Sequence, residues 1–328
     1  MNKRMINGIS LNPIGLGCMN LSHAYGQPPT EKDASRLLLE AIDLGVDHFD
    51  TAALYGFGKN ECLVGNALKP VRDKIFLASK CGMTGVNGKR VIDGSPKALR
   101  ATIEQSLTNL QTDVLDLYYL HRWDKNVPIE DSVGELSKMV DEGKIKSIGL
   151  SEVSANTIER AHSVRKIAAV QTEYSLWTRN AEIAVLDTCK AIGAAFVAFS
   201  PLARGFLTEQ ITNPSLLVDG DIRKGMPRFQ TPHFEKNTDL LNVVREISHQ
   251  ANCSLAQVNL AWLLHQSDNI HPIPGTTQLL HLRDNLAAVD VSLTDEHLST
   301  LDSVFMPKAI SGARYPLATQ QEIDTEEF

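Results

Sequence analysis

The segment from residue 75 to residue 121 contains the pattern that decides the fold. It reads IFLASK (Ile75–Lys80), then SPKALRATIEQSLTNL (Ser95–Leu110), then LDLYYLH (Leu115–His121). The two outer runs are short and mostly apolar before they end on a polar residue, as in strands buried on both faces. The middle run begins with Ser-Pro and repeats apolar residues at helical spacing, which is typical of an amphipathic helix. The segment therefore predicts two parallel strands joined by a helix.

The same alternation continues along the 328 residues of the chain. The predicted strands end near Met19, Asp50, Lys80, His121, Ser151, Glu173, Ser200 and Pro274. Eight such units without a Pro/Ser-rich linker favour a closed (β/α)8 TIM barrel, α/β in class, over two doubly wound halves, and they predict one domain over residues 1–328. Asn7-Gly8 predicts a short N-terminal β-hairpin, and the stretch Pro201–Asp239 after strand 7 predicts a long flap over the barrel mouth.

The composition is ordinary for a globular protein, with 43% hydrophobic and 22% charged residues. A formal net charge of -7 argues against nucleic acid or an anionic membrane as the main partner. No signal-peptide core and no run of about eighteen apolar residues is present, so we expect a cytoplasmic protein. The five cysteines contain no C-x-x-C pair, which favours reduced thiols and predicts no metal site. Cys81 follows Lys80, and the alternatives are a cation-activated thiol or an inert buried one, the second being favoured.

The stretch GLGCMN (Gly15–Asn20) raises a competing interpretation. It begins like the G-x-G-x-x-G fingerprint of dinucleotide-binding folds, but Asn20 replaces the third glycine. No acidic residue ends a second strand at the expected distance of about twenty residues. These glycines are better explained by a tight turn after the first strand.

Polar residues end three neighbouring strands of the predicted barrel. FDTAALYG (Phe49–Gly56) places Asp50 at the end of strand 2 and Tyr55 in the loop beyond it, while Lys80 ends strand 3 and His121 ends strand 4. The carboxyl ends of barrel strands converge on one mouth, where active sites lie. A nearby ammonium is expected to lower the phenol pKa, with Asp50 holding Lys80 charged and His121 bonding the same substrate oxygen. Such a phenol can protonate an oxygen that gains negative charge, so we expect a carbonyl that receives a hydride.

Each of these residues also has a simpler explanation. A single strand-end Asp is commonly a cap, a Lys commonly reaches solvent, and a His is commonly a satisfied core residue. Taken together those explanations fail, because charged residues rarely end three adjacent buried strands without pairing. No nucleophile–base pair and no H-E-x-x-H motif competes with this interpretation.

With these residues in place, the sequence closely resembles the aldo-keto reductase family, which is built on a (β/α)8 barrel. The matching pieces, in order along nearly the whole chain, are GLGCMN, FDTAALYG, LASKCG, LDLYYLH, IGLSE, AAVQTEYSLWTR, FSPLARGFLT and IPGTTQLLHLRDN. The chain looks most like the bacterial, fungal and plant branch that includes pyridoxal reductases and auxin-induced-type proteins.

The resemblance implies roles for particular residues. Asp50, Tyr55, Lys80 and His121 match the family's catalytic tetrad, with Tyr55 as the general acid. It also implies a nicotinamide cofactor extended across the mouth. The cofactor-binding residues that it implies are Ser151, Glu152 and Gln171 at the carboxamide, Phe199 as the stacking aromatic, Ser200, Pro201, Leu202, Arg204 and Gly205 around the pyrophosphate, and Gly275, Thr276, Thr277, His281, Asp284 and Asn285 at the adenosine.

The adenosine end departs from the family pattern. Members that prefer NADPH usually carry Lys or Arg in this loop to pair with the 2′-phosphate. Here residues 275–278 supply no cation, His281 stands where Arg is common, and the helical phase of Arg283 turns it away. We expect NADPH/NADP+ because the family prefers it, with NADH possible.

Substrate and partners are less specified. Tyr25, Trp123 and Trp177 follow strand ends and are expected to line the substrate pocket, with at least one serving as a loop anchor. The tail Phe305–Phe328 is expected near the pocket rim and to end in solvent. The leading hypothesis is an NADP(H)-dependent reductase of small aldehydes or ketones, without a metal. The alternatives are a slow-turnover regulatory subunit, like the potassium-channel β-subunits that share this barrel, and a barrel enzyme without nicotinamide, such as an isomerase.

Overall fold

A computed structural model describes residues 3–86 and 88–328 of the chain. At its centre is an eight-stranded parallel sheet, which a short N-terminal hairpin precedes. The strands are β1 Arg4–Ile6, β2 Ile9–Leu11, β3 Leu16–Gly17, β4 His48–Asp50, β5 Phe76–Cys81, β6 Met83–Val86, β7 Lys89–Ile92, β8 Leu117–Leu120, β9 Ile148–Ser151, β10 Ile167–Glu173, β11 Ala195–Phe199 and β12 Ile270–Pro272. In the sheet the order is β12-β11-β10-β9-β8-β5-β4-β3, so successive strands along the chain are neighbours once the β6–β7 hairpin is set aside.

Helices cover the outside of this sheet. They are α1 Glu31–Asp43, α2 Lys59–Leu68, α3 Pro96–Leu110, α4 Ile129–Asp141, α5 Ala155–Val164, α6 Val185–Ile192, α7 His233–Thr238, α8 Leu241–Gln250, α9 Leu255–Gln266, α10 Leu279–Ala287, α11 Asp295–Val304 and α12 Leu317–Gln320. None of the helices in the described part of the chain has the length and apolar character that crossing a membrane requires.

The first and last strands of the sheet meet and close the barrel. The Gly15 backbone N–H donates to the Pro272 carbonyl at 3.0 Å, and that of Gly17 donates to the Pro274 carbonyl at 3.3 Å. A side chain at Gly17 would place Cβ 2.8 Å from the Ile273 carbonyl oxygen. The glycines of GLGCMN therefore permit the close approach of backbone at this seam, and the barrel interpretation, rather than the dinucleotide fingerprint, is confirmed.

The predicted strand ends agree with the structure to within two residues. β4, β9 and β10 end at Asp50, Ser151 and Glu173 as predicted, and the largest differences are at the seam, where β3 ends at Gly17 and β12 at Pro272. The fold class is confirmed, because continuous apolar strands alternating with amphipathic helices leave little freedom in how a parallel sheet is covered.

Local sequence signals explain where several elements begin and end. The Ser95 hydroxyl accepts from the Ala98 N–H at 3.3 Å at the start of α3, with Pro96 as its first residue. Asn7 and Gly8 both have positive φ, 47° and 80°, between β1 and β2. The N-terminal hairpin is thus confirmed, since a two-residue turn with both φ positive matches the twist of the strands.

The interior of the barrel is filled mainly by small and aromatic side chains. Buried Phe76, Leu117, Tyr119 and Val197 form this inner cluster with several alanines, and a larger cluster lies between the strands and the helices. Gly149 provides the space for one of these rings, because a Cβ there would lie 2.3 Å from the Tyr119 ring. Apolar side chains therefore fill the interior of the barrel, and the polar residues at the strand ends lie at one end of it, the mouth.

The segment after β11 lies against the loop after β3. The Ile222 N–H donates to the Ala24 carbonyl at 3.0 Å, and the Arg223 guanidinium lies 4.7 Å from the centroid of the Tyr25 ring. The segment contains α7 and several short 3-10 turns. The flap predicted after strand 7 is therefore confirmed as a structural element.

Part of the C-terminal tail packs on the protein, which corrects the expectation for TQQEIDTEEF at residues 323–326, whereas Glu327 and Phe328 are exposed as expected. Ile323 is 4% exposed and Thr325 is 7% exposed. The Asp324 carboxylate accepts from the Ser154 N–H at 3.0 Å and from the Thr157 hydroxyl at 2.7 Å, at the first turn of α5. A charge run that looked solvated is used to satisfy free N–H groups at a helix start, where acids are favoured.

Candidate active site

Four polar side chains meet at the barrel mouth, where β4, β5 and β8 end. The buried Lys80 ammonium donates to the Asp50 carboxylate and, at 2.8 Å, to the Thr51 carbonyl. The Tyr55 hydroxyl lies 3.4 Å from the same ammonium. The rings of Tyr55 and His121 meet edge to face with centroids 5.7 Å apart. The structure thus brings together all four residues predicted at the mouth, three from strand ends and Tyr55 from a loop.

The backbone between Asp50 and Tyr55 explains how a residue five positions further along returns to the same mouth. The Ala53 N–H donates to the Lys80 carbonyl at 3.2 Å, which anchors the loop to the neighbouring strand. The Tyr55 N–H then donates to the Ala52 carbonyl at 3.0 Å, which forms a tight turn. Small residues in the loop allow this turn.

Lys80 is held charged in the barrel interior. Its side chain is fully buried, and desolvation alone would lower its pKa, but the charge of Asp50 and the hydrogen bond to it raise the pKa overall. The second Asp50 oxygen accepts from the Gln171 side-chain amide at 2.8 Å. Both carboxylate oxygens are therefore satisfied, as a buried acid requires.

Burial raises the pKa of Tyr55, which corrects the expected lowering. Lys80 acts in the expected direction, but desolvation of the phenolate is the larger effect and the Asp50 charge adds to it. The phenol is consequently protonated at neutral pH. That is the form from which a proton can be donated.

His121 is neutral in the same region. Burial lowers the pKa of its imidazole well below the ordinary value, and the cations Arg122 and Lys80 lower it further. Its Nδ1 is buried with no hydrogen-bond partner among the described residues. A neutral imidazole retains one N–H donor and one acceptor, so it can bond a substrate oxygen without carrying charge.

A cavity of about 710 Å³ extends along the mouth, and of the four residues described above Asp50 and Tyr55 line it. Tyr55 and Asp50 line one end, and Asp284 and Asn285 of α10 line the other. The further predicted residues that line it are Tyr25, Gln171, Phe199, Ser200, Pro201, Leu202, Arg204, Gly205, Gly275, Thr276, Thr277 and His281. Most of the residues predicted from distant parts of the chain therefore share one extended cavity.

The loop after β11 is strained where it lines the cavity. Ser200, Ala203 and Arg204 have φ values of 48°, 49° and 58°, which L-residues rarely adopt. Strain of this kind persists only where surrounding contacts maintain it, and it is common where backbone approaches a ligand closely. Ser200, Pro201, Leu202, Arg204 and Gly205 of this loop line the cavity.

A model of the aldo/keto reductase family matches residues 13–305. The chain belongs to this family. Its match covers every strand of the barrel and all four residues at the mouth.

Solved aldo-keto reductases resemble this chain along its length. The glycerol dehydrogenase from Gluconobacter oxydans has a TM-score of 0.85 and 27% identity, covering 96% of this chain and 99% of its own. An aldo-keto reductase from Bacillus halodurans has a TM-score of 0.77 and 28% identity, covering 97% and 99%. One from Klebsiella pneumoniae, solved in complex with NADP and acetate, has a TM-score of 0.74 and 26% identity, covering 96% and 99%.

Two residues that the family resemblance assigns to the carboxamide lie outside the cavity lining. The Ser151 hydroxyl is 3.3 Å from Arg122. The Glu152 carboxylate faces the tail, where it accepts from Arg314 and, at 2.8 Å, from the Thr325 hydroxyl. Because position 152 is Glu in this aldo-keto reductase, its carboxylate pairs with the buried guanidinium of Arg314 instead of remaining unpaired at the mouth.

Arg204 lines the cavity but its guanidinium is already paired. It donates to both oxygens of Glu173 at 2.6 and 2.8 Å and to the Tyr315 hydroxyl at 3.2 Å. Burial alone would raise the pKa of Glu173, but Arg204 and Arg314 together lower it below its ordinary range. A contact between the Arg204 side chain and a phosphate would compete with this ion pair.

The two predicted pocket tryptophans are placed elsewhere. Trp123 donates from Nε1 to the Val127 carbonyl at 2.9 Å and acts as a loop anchor. Trp177 is 2% exposed and stacks on Phe206 with ring centroids 4.0 Å apart. Neither lines the mouth cavity, because both rings are used for packing of the loops that contain them.

Several residues of the cavity were not identified from the sequence. Asn20 has a buried side-chain oxygen with no partner in the described part of the chain, and Arg223 reaches the cavity from the flap. Ser254 at the start of α9 donates to the Asp284 carboxylate at 2.8 Å. Asn20 was the residue that broke the glycine fingerprint, and that departure was the available signal.

The adenosine end of the cavity carries no Lys or Arg among the described residues, consistent with the sequence. Arg283 is exposed and does not line the cavity, whereas His281 and Asp284 do. The cationic side chains that reach the cavity within residues 3–86 and 88–328 are Arg204 and Arg223, from the loop after β11 and the flap. The cavity is thus less basic near α10 than the family pattern for NADPH would suggest.

Burial also decides between the two interpretations of Cys81. Its thiol is fully buried, and desolvation raises its pKa despite its position next to Lys80 in sequence. The two side chains leave the strand on opposite faces. Cys81 is therefore an inert residue of the outer core.

Proposed function

We propose that this aldo-keto reductase is an NADP(H)-dependent oxidoreductase that reduces an aldehyde or ketone to an alcohol, with Tyr55 as the general acid. The observation that carries the proposal is the contact set at the mouth, where a protonated phenol lies 3.4 Å from a buried ammonium and beside a neutral imidazole. Tyr55 has no other evident reason to be held next to Lys80 and His121.

The mouth cavity fits a nicotinamide dinucleotide. Its volume of about 710 Å³ extends from Tyr55 to Asn285, which suits a long ligand. At Gly275 a Cβ would lie 3.0 Å from the Gly17 carbonyl oxygen, so a larger residue there would crowd the backbone that lines the cavity. The positive-φ loop at residues 200–205 provides backbone N–H groups for a diphosphate, a common arrangement for anions.

The residues that would hold the cofactor follow from the cavity lining. Gln171 and Phe199 would contact the nicotinamide, the loop at residues 200–205 the diphosphate, and Asp284 and Asn285 the adenine. When bound, the reduced cofactor supplies the hydride for the carbonyl carbon. NADPH is favoured because a structural relative was solved in complex with NADP, and NADH is the alternative because α10 places no Lys or Arg in the cavity lining.

The protein's own contribution is to orient the carbonyl and donate a proton. Tyr55 transfers its proton to the carbonyl oxygen as negative charge develops there, and His121 hydrogen-bonds the same oxygen. Lys80 stabilises the phenolate left on Tyr55, and Asp50 keeps Lys80 charged and fixed. One proton from Tyr55 and one hydride convert the carbonyl to an alcohol, and solvent then reprotonates Tyr55. In reverse, the same groups oxidise an alcohol.

The direct test is NADPH oxidation, followed by absorbance, with a panel of aliphatic, aromatic and hydroxylated aldehydes. Glyceraldehyde belongs in that panel because the Gluconobacter oxydans relative is a glycerol dehydrogenase. We expect turnover with at least one aldehyde. Cofactor binding without oxidation for any carbonyl would instead favour the regulatory-subunit alternative, and absence of cofactor binding would favour a barrel enzyme without nicotinamide.

A matched pair of dissociation constants, for NADPH and for NADH, resolves the cofactor. Fluorescence titration of the protein gives both values on one preparation. If NADPH binds at least tenfold more tightly, which is about 1.4 kcal/mol, a cation outside α10 pairs with the 2′-phosphate. Equal affinities would show that, without a Lys or Arg from α10 in the cavity, the protein does not distinguish the 2′-phosphate, and that the proposed preference for NADPH is wrong.

A further inference from the structure

A second cavity of about 250 Å³ lies apart from the barrel mouth. Its walls come from the loop after β10, the flap and the C-terminal segment, and none of its lining residues lines the mouth cavity. The four residues proposed for catalysis do not reach it. This second cavity is therefore a separate candidate for ligand binding.

Arg228 of the flap supplies a cation to this cavity without a carboxylate partner among the described residues. Its guanidinium donates to neutral oxygens, the Gly312 carbonyl at 3.1 Å, the Thr178 hydroxyl at 3.0 Å and the Trp177 carbonyl. Burial lowers the pKa of Arg228 to about 10, so it remains charged at neutral pH. A half-buried guanidinium bonded only to neutral groups retains unbalanced charge.

Arg314 adds a second cation with donor capacity to spare. Its side chain is 5% exposed, and it bonds Glu173 at 3.0 Å through Nε and Glu152 through Nη2. Its Nη1 has no acceptor in the described part of the chain, and neither does the Trp177 indole nitrogen. Both residues line the cavity.

The local charge does not balance within this cluster. Among the buried and half-buried groups, three guanidiniums, of Arg204, Arg228 and Arg314, face two carboxylates, of Glu152 and Glu173. The exposed Glu327 also lines the cavity, where its carboxylate accepts from the Gln320 side-chain amide. A buried cation without a counter-ion is costly, and an anion placed beside it is stabilised by charge-assisted hydrogen bonds. Two buried donors at the cavity, Arg314 Nη1 and Trp177 Nε1, have no acceptor among the described residues, so an anion complements them, whereas the Gln320 side-chain oxygen is a buried acceptor without a donor there.

The remaining walls define the body of the ligand. They include the apolar side chains of Leu176, Phe305, Pro307, Ile310 and Phe328, together with the polar side chains of Arg179, Asn180, Gln320 and Glu327. We propose that the second cavity binds a small organic carboxylate, with the carboxylate group at Arg228 and Arg314 and an apolar body against Phe305 and Ile310. The second cavity is linked to the mouth cavity through Glu173. This carboxylate accepts hydrogen bonds from Arg314, which lines the second cavity, and from Arg204, which lines the mouth cavity.

The test uses the full chain without cofactor, with benzoate as the probe and benzamide as its neutral match. Calorimetry should show benzoate binding at least tenfold tighter than benzamide, because a hydrogen-bonded charge pair is worth about 1.5–3 kcal/mol. The Arg228→Gln variant should weaken benzoate at least tenfold, whereas Tyr55→Phe and the surface control Arg245→Gln should not. In ¹⁵N-labelled protein the indole resonance of Trp177, assigned with Trp177→Phe, should shift on addition of benzoate to the wild type.

Three results would overturn the proposal. The first is no benzoate binding to the wild type up to about 10 mM. The second is binding that Tyr55→Phe removes and Arg228→Gln retains, which would place benzoate at the mouth. The third is binding only after removal of Glu327 and Phe328, which would show that the chain's own C-terminus occupies the cavity. Because the Trp177 shift is measured on the wild type, a folding defect in Arg228→Gln does not decide the outcome.

Discussion

Tyr55 and its neighbours show how one residue acquires a role through its surroundings. Desolvation raises the phenol pKa, Lys80 opposes that effect, and Asp50 fixes Lys80 through a buried ion pair. A phenol whose pKa is raised holds its proton until an acceptor develops charge nearby. Lys80 is then in position to stabilise the phenolate that remains.

We expect Tyr55→Phe to lower turnover by about 10²–10⁴-fold, the usual contribution of a positioned general acid. NADPH affinity should be unchanged, because the hydroxyl is lost without loss of the ring. Tyr118→Phe is the matched control, since its hydroxyl lies near Ser106 and away from the mouth. Steady-state kinetics and a cofactor titration provide both readouts. Turnover of Tyr55→Phe within tenfold of wild type would mean that another group donates the proton.

Two histidines inside the barrel make stability depend on pH. Burial lowers the pKa of His48 to about 4 and that of His271 to about 3, and their rings lie 6.5 Å apart. The unfolded chain, with a His pKa of about 6.5, binds protons first as pH falls. The stabilisation is therefore complete above about pH 6.5 and is lost progressively toward the folded pKa values.

His271→Phe should reduce this pH dependence. Between pH 7 and pH 5 we expect the wild type to lose on the order of 1–2 kcal/mol of unfolding free energy through His271 alone, and the variant to lose that much less. Urea denaturation at both pH values measures the difference. The exposed control His249→Gln should leave the slope unchanged. If His271→Phe and wild type show the same slope, His271 is not the buried titrating group.

At the scale of elements, local signals and long-range contacts have separable effects. α3 begins at Ser95 and the β1–β2 turn forms at Asn7-Gly8 because neighbouring residues satisfy or permit the backbone there. The β6–β7 hairpin was not predicted, since its strands are short and exposed and alternate weakly. The packing of residues 323–326 was not predicted because their partners, at α5, are far away in sequence.

The tail is attached to α5 by a side chain that acts as a helix cap from outside the helix. We expect Asp324→Ala to lower the unfolding free energy by about 1–2 kcal/mol, because the Ser154 N–H and the Thr157 hydroxyl lose their acceptor. Amide hydrogen exchange of residues 320–328 should become faster in the variant. Asp219→Ala is the control, since that carboxylate is fully exposed on the flap. Unchanged exchange in Asp324→Ala would mean that other contacts hold the tail.

At the scale of the whole molecule, the seam between β3 and β12 turns a sheet into a barrel. The seam depends on backbone bonds from Gly15 and Gly17 and on the absence of a side chain beside the Ile273 carbonyl. Gly17 also lines the mouth cavity. We propose that the chain folds as one domain, since closure makes every strand depend on both ends of the sheet.

Gly17→Ala tests the seam. Its Cβ would lie 2.8 Å from a backbone oxygen that cannot move without breaking the seam, so we expect a loss of about 1–3 kcal/mol in unfolding free energy. Gly134→Ala in α4 is the matched control: nothing lies within 4 Å of its added Cβ, and alanine favours a helix by about 0.5–1 kcal/mol. Denaturant titration should show one transition in each protein. Equal stability of Gly17→Ala and wild type would contradict the close approach at the seam.

The sequence by itself determined the barrel, its hairpin and flap, and the group formed by Asp50, Tyr55, Lys80 and His121. The strands and helices follow from the spacing of apolar residues along the chain. The grouping of the four residues follows from the rule that the carboxyl ends of parallel strands meet at one edge of the sheet. Both inferences depend on residues that are near one another in sequence. Tertiary structure alone decided the direction of the Tyr55 pKa, because burial is a sum over many distant residues. It also decided the placement of Glu152 with Arg314 and of the tail on α5. Ion pairs and caps between segments more than a hundred residues apart leave no periodic signal, and one chain without its fold does not specify which charges will meet.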